Sequence, residues 1–416
     1  MGNGRPRLPL AFLATVVAAG AATLILRPHS GLIDPVAVDA QAYFSPAQIE
    51  RARHFADPQR LIGLAQIALS GITLAVLALR PPAPLELLLA RIERRPLLGG
   101  ALAGAAISLA LAIVGLPLSI WAHARAVDVG LSTQTLGPWL VDVAKSAAIG
   151  AVLAAVAGFL VMALIRRFSR RWWIPAAAVV AVFAVIGSYL WPVVVDPLFN
   201  RFEPLPRGAL RSEVLQLAKR SGVDVGQVYR VDASRRTSAI NAYVVGIGHT
   251  KRVVLYDNLI DRYPRDQVRS VVAHELGHVA GNDEPRGLLF VFIVAPAGML
   301  LAQRLAERVS RGTLRAPPGD RPGPAALPAV ALSVGLVAFA LTSAGNALSR
   351  PVEAHADSFG LRLTGDPKAF IALERSLALR NLGDPDPPSL FQAVFGTHPT
   401  TVQRIGVGKA WEQGRR

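Results

Sequence analysis

Residues 274–278 read His-Glu-Leu-Gly-His, an H-E-x-x-H pattern placed just before an apolar run. The surrounding segment Gln267–Val279 has no proline and one glycine, so it predicts a helix. On that helix His274 and His278 lie four residues apart on one face, where their imidazoles can share one metal ion. Glu275 is then beside the remaining coordination position, where it can act on water.

The composition indicates a membrane protein. Of the 416 residues 52% are hydrophobic and 17% are charged, and the mean hydropathy is +0.39, which is too apolar for a soluble globular chain. Stretches long enough to cross a bilayer, or nearly so, are Leu8–Leu26, Leu61–Leu79, Leu97–Ile120, Ala147–Ile165, Ile174–Val195, Gly287–Leu301 and Ala325–Leu341. The sixth is short and contains Pro296, so we expect it to be kinked, tilted or partly buried. The first could instead be a cleaved signal peptide, although it is long for one.

The net charge of +16 is explained better by membrane anchoring than by nucleic-acid binding. Much of the positive charge lies at the ends of apolar segments, as in Arg166 and Arg167, and near Trp172 and Trp173, a pattern typical of interfacial anchors. The sequence therefore predicts membrane lipids, and no nucleic acid, as partners. Since the chain has no cysteine, any metal must be bound by His, Asp or Glu.

The predicted fold is a mainly α-helical polytopic membrane protein of about seven transmembrane helices with a small α+β zinc-metalloprotease unit. We divide the chain into a five-span membrane region (1–195), a zinc-protease core (196–286), two further spans (287–341) and a C-terminal segment (342–416). Within the core we predict a helix and three strands: Leu210–Ser221, Val228–Val231, Ala242–Val245 and Arg252–Tyr256. The Pro- and Gly-rich residues Arg311–Pro328 predict a loop. Gly100 and Gly104 indicate small-residue packing between helices.

A third ligand is expected later in the chain, because catalytic zinc has three protein ligands and one open position. Three candidates lie together: Glu353, His355 and Asp357. With Pro351 in the first turn of a helix, Glu353 and Asp357 share a face and His355 lies on the far side. The other interpretation of that acidic face is an exposed charge pair.

The order of motifs resembles the type 1 CAAX prenyl protease family of integral-membrane zinc endopeptidases. The matching pieces are Pro197–Asn200 with Pro204 and Leu205, Asp232–Arg236, Asn241–Tyr243, Arg252–Asp257, the H-E-x-x-H pattern, Ser349–Asp357, and His398 with Pro399. They span about half the chain, from Pro197 to Arg404. The seven predicted spans agree with the family.

The resemblance implies a role for each matching residue. It implies one Zn2+ per chain, bound by His274, His278 and Glu353, with Asp357 orienting a ligand and Glu275 as the general base. Asn241, Ala242 and Tyr243 match a strand that pairs with an extended substrate, and His398 matches a histidine that steadies the oxyanion. Arg350 is expected to pair with a carboxylate in the site, or else to be a surface cation. Relatives that process prenylated proteins usually carry an aromatic residue where this chain has Ala354.

The predicted function is zinc-dependent peptide hydrolysis, either near the C-terminus of prenylated CAAX-type substrates or in membrane-protein quality control. The alternative is an inactive membrane scaffold or peptide-binding chaperone.

We expect a multi-pass protein of a bacterial plasma membrane. Basic residues near the span ends number fifteen on the N-terminal side and six on the other. The positive-inside rule then places the zinc core outside the cytoplasm, where cytosolic prenylated substrates are absent. Either the span count is off by one, or the substrate is of another kind.

Overall fold

The computed structural model describes residues 7–83, 91–310 and 322–414. Helices long and apolar enough to cross a membrane number seven in these ranges, as predicted. The first five are α1 (Leu8–Leu26), α2 (Pro46–Leu79), α3 (Pro96–Asp128), α4 (Leu136–Arg167) and α5 (Trp173–Leu190), which continues through short turns to Leu198. The last two are α9 (Asp283–Val309) and α10 (Leu327–Thr364).

Several helices extend well beyond the apolar stretch that predicted them. Helix α2 begins at Pro46, preceded by a capping box between Ser45 and Gln48, whereas the apolar stretch begins only at Leu61. Because the first turns of this helix carry charged residues, their hydropathy is low and the predicted apolar stretch did not include them. Helix α9 continues across Pro296 and is partly buried by its neighbours, as expected for the sixth span.

Helices α3 and α4 cross at glycines. A Cβ atom on Gly104 would lie 2.1 Å from the carbonyl oxygen of Ala154, and one on Gly158 would lie 2.2 Å from that of Gly100. Only glycine allows this close approach of the two backbones. The small-residue packing predicted for Gly100 and Gly104 is therefore present.

The α+β unit between the fifth and sixth spans contains a four-stranded sheet. Strands β1 (Phe202–Pro204), β2 (Gln227–Val231), β3 (Ala242–Val245) and β4 (Arg252–Tyr256) are arranged in the order β1-β2-β4-β3. Strands β2 and β4 are parallel, and the two outer strands pair antiparallel. Strand β1 was not predicted, because it has only three residues and ends in proline. Strand β3 lies at an edge, with β4 as its only partner in the described sheet.

Helices pack around this sheet and extend the unit to the C-terminus. They are α6 (Ala209–Arg220), α7 (Asp257–Arg262), α8 (Arg265–Ala280), α11 (Pro367–Arg380), α12 (Ser389–Phe395) and α13 (Thr401–Glu412). Val228 and Leu255 of the sheet are fully buried against Val272 and Leu276 of α8. The core of the unit therefore fixes the helix that carries the H-E-x-x-H pattern.

Helix α10 differs from its prediction. We expected a helix beginning near Pro351, but one helix of 38 residues runs from Leu327 to Thr364 with Pro351 in its interior. It crosses the boundary placed between residues 341 and 342, so one continuous helix joins the last span to Glu353. Of the predicted loop Arg311–Pro328, residues 311–321 lie outside the described residues; the rest forms a short turn at Pro324–Ala326 and the beginning of α10.

Candidate metal centre

Two helices bring three ligand atoms together. Helix α8 supplies His274 and His278, whose Nε2 atoms are 3.1 Å apart. Helix α10 supplies Glu353, whose Oε2 lies 3.3 Å from His274 Nε2 and 3.6 Å from His278 Nε2. Ligand atoms of the three residues all lie within 4.8 Å of one another, close enough to hold one ion.

The close approach of α8 and α10 depends on two glycines. A Cβ on Gly277 would lie 3.1 Å from both the Cα and the carbonyl oxygen of Ala356, and one on Gly360 would lie 3.2 Å from the backbone nitrogen of His274. Larger residues would push the helices apart. The glycine of the H-E-x-x-H pattern thus lets the Glu353 helix reach the histidines.

Both histidines are oriented by carboxylates. His274 Nδ1 is 2.8 Å from Asp357 Oδ1, and His278 Nδ1 is 2.9 Å from Asp283 Oδ2. A carboxylate accepts a hydrogen bond from a protonated Nδ1, which leaves the Nε2 lone pair free for a metal. The arrangement of both rings is therefore that of metal ligands.

The chemistry of the three residues fits a zinc ion. Glu353 Oε2 is buried and has no hydrogen-bond partner among the described residues, although a buried carboxylate oxygen is costly unless it is paired or bound to a cation. It points between two Nε2 atoms. Two histidines and one carboxylate form a set typical of catalytic zinc, which keeps a further position open.

The three candidates for the third ligand are now distinguished by position. Glu353 approaches both histidines and Asp357 binds the outer nitrogen of His274. His355 faces the other way, toward the segment that joins α1 to α2, where its Nε2 would lie 3.4 Å from a Cβ at Gly31. The interpretation of Glu353 and Asp357 as an exposed charge pair is wrong, because both side chains are largely buried against His274.

Asp357 belongs to a buried charge network that the sequence did not reveal. Arg404 of α13 donates to Asp357 through Nε at 2.8 Å and Nη2 at 2.6 Å, and through Nη1 to Glu374 of α11 at 2.8 Å. Burial raises the pKa of Glu374 to about 7 despite the charge of Arg404. One guanidinium thus ties α10, α11 and α13 together behind His274.

A cleft beside the centre contains Glu275. It has a volume of about 260 Å3, and its lining includes Tyr243 and Val244 of the edge strand β3 together with Glu275 and His278. Burial raises the pKa of Glu275. Asn241 immediately precedes β3, and its carbonyl accepts from the backbone nitrogen of Tyr256 at 3.1 Å. The predicted strand residues therefore lie next to the predicted base.

His398 reaches the centre from the loop between α12 and α13. Its Nε2 is 3.3 Å from Glu353 Oε2, and its backbone carbonyl accepts from Gln392 Nε2 at 2.6 Å. Arg350, expected to pair with a carboxylate, instead donates to backbone carbonyls, the shortest contact being 2.8 Å to Gly396. Its other two contacts are the carbonyls of Gln392 and Ala393 in the last turns of α12, where backbone carbonyls lack partners within the helix.

Three residues of this arrangement were missed by the sequence analysis: Asp283, Glu374 and Arg404. Asp283 follows His278 by five residues, beyond a turn with Asn282 in a left-handed conformation, so helical spacing does not identify it. Glu374 and Arg404 meet Asp357 only through the packing of α11 and α13. No local signal in the sequence marks them.

Seven candidate spans joined to a His-His-Glu centre beside an open sheet edge define a membrane metalloprotease. The chain matches Peptidase family M48 over residues 204–412 and the CAAX prenyl protease N-terminal family, with five membrane helices, over residues 39–201. It therefore belongs to the M48 peptidase family, within the CAAX prenyl protease group.

Individual relatives agree with this assignment. The chain is 33% identical over 300 residues to a Bacillus subtilis protein named uncharacterized metalloprotease YhfN, covering 72% of this chain and 70% of the other. It is 25% identical over 313 residues to CAAX prenyl protease 1 of Saccharomyces cerevisiae, covering 70% and 68%. The crystal structure of S. mikatae Ste24p has the same fold, with a TM-score of 0.72 at 18% identity and coverage of 96% and 98%.

Proposed function

We propose that this protein is a zinc-dependent endopeptidase whose centre consists of His274, His278 and Glu353. One observation carries the proposal. A buried carboxylate oxygen without a hydrogen-bond partner among the described residues lies against two Nε2 atoms whose rings are oriented from behind by Asp357 and Asp283. This is the arrangement that a divalent cation needs.

Glu275 is the general base of the proposed reaction. A zinc ion at this centre would polarise the scissile carbonyl and lower the pKa of water. Glu275 lies next to the ligand His274 and lines the cleft, so it can take a proton from the attacking water and deliver it to the leaving amine. Its burial favours the protonated carboxyl, which assists the second transfer.

His398 and strand β3 position the substrate in this proposal. With Nε2 3.3 Å from Glu353 Oε2, His398 lies beside the place where the carbonyl oxygen gains charge, and its N–H can donate to that oxygen. Burial lowers the pKa of His398, which favours the neutral ring. An extended peptide can add to the open edge of β3, beginning near Asn241, as in β-strand addition.

We further propose that the substrates are peptides or proteins presented outside the cytoplasm of a bacterial cell. The seven candidate spans of the described chain and the count of basic residues support an orientation with the metal centre opposite the arginine-rich side. A second candidate function is cleavage near the C-terminus of prenylated proteins. It is favoured by the relatives named CAAX prenyl protease 1 and disfavoured by Ala354.

Replacement of Glu275 by glutamine tests the reaction. Gln cannot accept the proton, so we expect Glu275→Gln to reduce peptide cleavage by ~10²–10⁴-fold while bound zinc stays at one ion per chain. Glu284→Gln, in the same cleft, is the matched control and should keep activity. Cleavage is measured with a fluorogenic peptide library and zinc by atomic emission.

Two outcomes would contradict the proposal. Full activity of Glu275→Gln would remove the residue from the mechanism. A wild-type protein that holds zinc and peptide without cleaving any library member would favour the peptide-binding chaperone. Comparing one CAAX peptide with and without its prenyl group then separates the two substrate classes.

A further inference from the structure

A cleft of about 740 Å3 lies at the opposite end of α5 from the metal centre. It opens between the first turn of α3 and the last turns of α4. Its lining combines basic and apolar side chains, among them Arg95, Leu97, Leu98, Ala163, Arg166 and Arg167. The proteolytic reaction makes no use of this region.

The three arginines of the cleft carry positive charge, and no ion pair within residues 7–83, 91–310 and 322–414 neutralises it. None of them contacts a carboxylate in the described part of the chain. Arg166 donates through Nη1 to the carbonyl of Pro322 at 3.3 Å, and the Arg167 guanidinium lies 5.0 Å from the ring centre of Phe168. Like charges that line one cleft repel one another, so an anion bound among them would stabilise it.

Helix α3 adds to the positive potential of the cleft. Its first turn begins at Pro96, and the N-cap residue Arg95 gives it no side-chain hydrogen bond. The backbone N–H groups of this turn therefore point outward at the positive end of the helix dipole. An anion held by the arginines would lie at that end.

The apolar wall of the cleft is exposed. Leu97 and Leu98, on the first turn of α3, are 36% and 50% exposed. The glycine crossing of α3 and α4 lies directly below, with a Cβ on Gly100 only 2.5 Å from Met162 Cγ. Because the crossing holds the two helices together, the backbones at Arg95 and Arg166 keep a set separation.

We propose that this cleft binds an anionic phospholipid, with its phosphate among Arg95, Arg166 and Arg167 and an acyl chain along Leu97 and Leu98. The charge selects an anionic headgroup, and the exposed apolar wall selects a lipid rather than a free phosphate. Trp173 begins α5 near the same end, where interfacial residues are expected. Trp172, predicted as a second anchor, is instead buried between helices, because it packs in the core with Ile165 and Met299. The inference does not depend on the proteolytic mechanism.

Lipid titration of the purified full-length protein tests the proposal. Short-chain phosphatidylglycerol, phosphatidylcholine and inorganic phosphate are titrated in an uncharged detergent, and bound lipid is counted by native mass spectrometry. We expect one tightly held phosphatidylglycerol per chain in the wild type. Arg95→Gln/Arg167→Gln should weaken it roughly 30-fold, about fivefold for each arginine. Phosphatidylcholine should bind far more weakly, and phosphate should not compete at comparable concentrations.

The matched control is Arg170→Gln/Arg171→Gln, which removes the same charge from the same end of the molecule but outside the cleft. It should bind phosphatidylglycerol like the wild type. Equal losses in both double variants would show a diffuse charge effect and overturn the site. Competition by phosphate would overturn the lipid assignment. Arg95→Lys/Arg167→Lys should retain most of the affinity, and unchanged peptide cleavage shows that each variant is folded.

Discussion

At the residue scale, the candidate metal centre depends on carboxylates that lie behind its histidines. Asp357 and Asp283 each accept from the Nδ1 of one histidine, and each is itself held by an arginine, Arg404 or Arg286. These two carboxylates determine which nitrogen of each imidazole can face an ion, and they keep the imidazole rings from rotating. The histidines are thus fixed before any metal arrives.

Asp283 provides the sharper test of these supporting carboxylates, because no pattern in the sequence selects it. Asp283→Asn keeps the volume but removes the charge that favours a protonated Nδ1 on His278. We expect zinc affinity to fall ~10–100-fold, measured by competition with a chromogenic chelator. Asp261→Asn, in an exposed pair with Arg230, should leave affinity unchanged. Wild-type affinity in Asp283→Asn would mean that the ring is fixed by packing alone.

The residues of the centre differ in how far the sequence could predict them. His274, Glu275 and His278 are joined by one helix, so local periodicity places them. Glu353 could be proposed but not separated from Asp357 and His355 by spacing alone, since the answer depends on which face of α10 meets α8. Asp283, Glu374 and Arg404 required the packed structure because their partners come from other elements or from across a turn.

At the scale of the elements, hydropathy predicted where the helices lie better than where they end. The seven apolar stretches all fall in long helices, because backbone groups in a bilayer must bond within a helix. The polar extensions of α2 and α10 carry no apolar signal, although the extension of α10 holds Glu353 and Asp357. The metal centre is thus built partly on the continuation of a span outside its apolar part.

The contact between α8 and α10 gives a prediction at this scale. Gly277→Val places side-chain carbons against the backbone of Ala356. A backbone cannot move aside as a flexible side chain can. Overpacking of this kind costs about 1–3 kcal/mol, and it moves Glu353 away from both histidines. We expect a lower melting temperature and weaker zinc binding, measured by thermal unfolding with and without added zinc.

Gly287 provides the matched control for that experiment. It lies in α9, and a Cβ there would meet nothing within 4 Å, so Gly287→Val should leave both the melting temperature and the zinc affinity near their wild-type values. If Gly277→Val loses stability but keeps zinc affinity, the helices separate without displacing Glu353. In that case the glycine serves packing alone.

At the scale of the whole molecule, the charge distribution and the span count together make a statement about sidedness. Five of the seven candidate spans precede the metal unit, which predicts that the unit and the N-terminus lie on opposite sides of the membrane. The arginines of α3 and α4 that line the lipid cleft lie on the N-terminal side. Anionic lipid binding and the positive-inside rule therefore favour the same orientation, with the arginine-rich end in the cytoplasm.

Single-cysteine labelling tests this orientation, since the chain has no native cysteine. Ser212 is exposed on α6 of the metal unit, and Ser169 is exposed between Arg167 and Arg170 at the other end of α5. We expect a membrane-impermeant maleimide added to intact cells to label Ser212→Cys and not Ser169→Cys. After permeabilisation both should react. The reverse pattern would place the metal centre in the cytoplasm, where prenylated proteins are made, and would leave extracytoplasmic substrates without support.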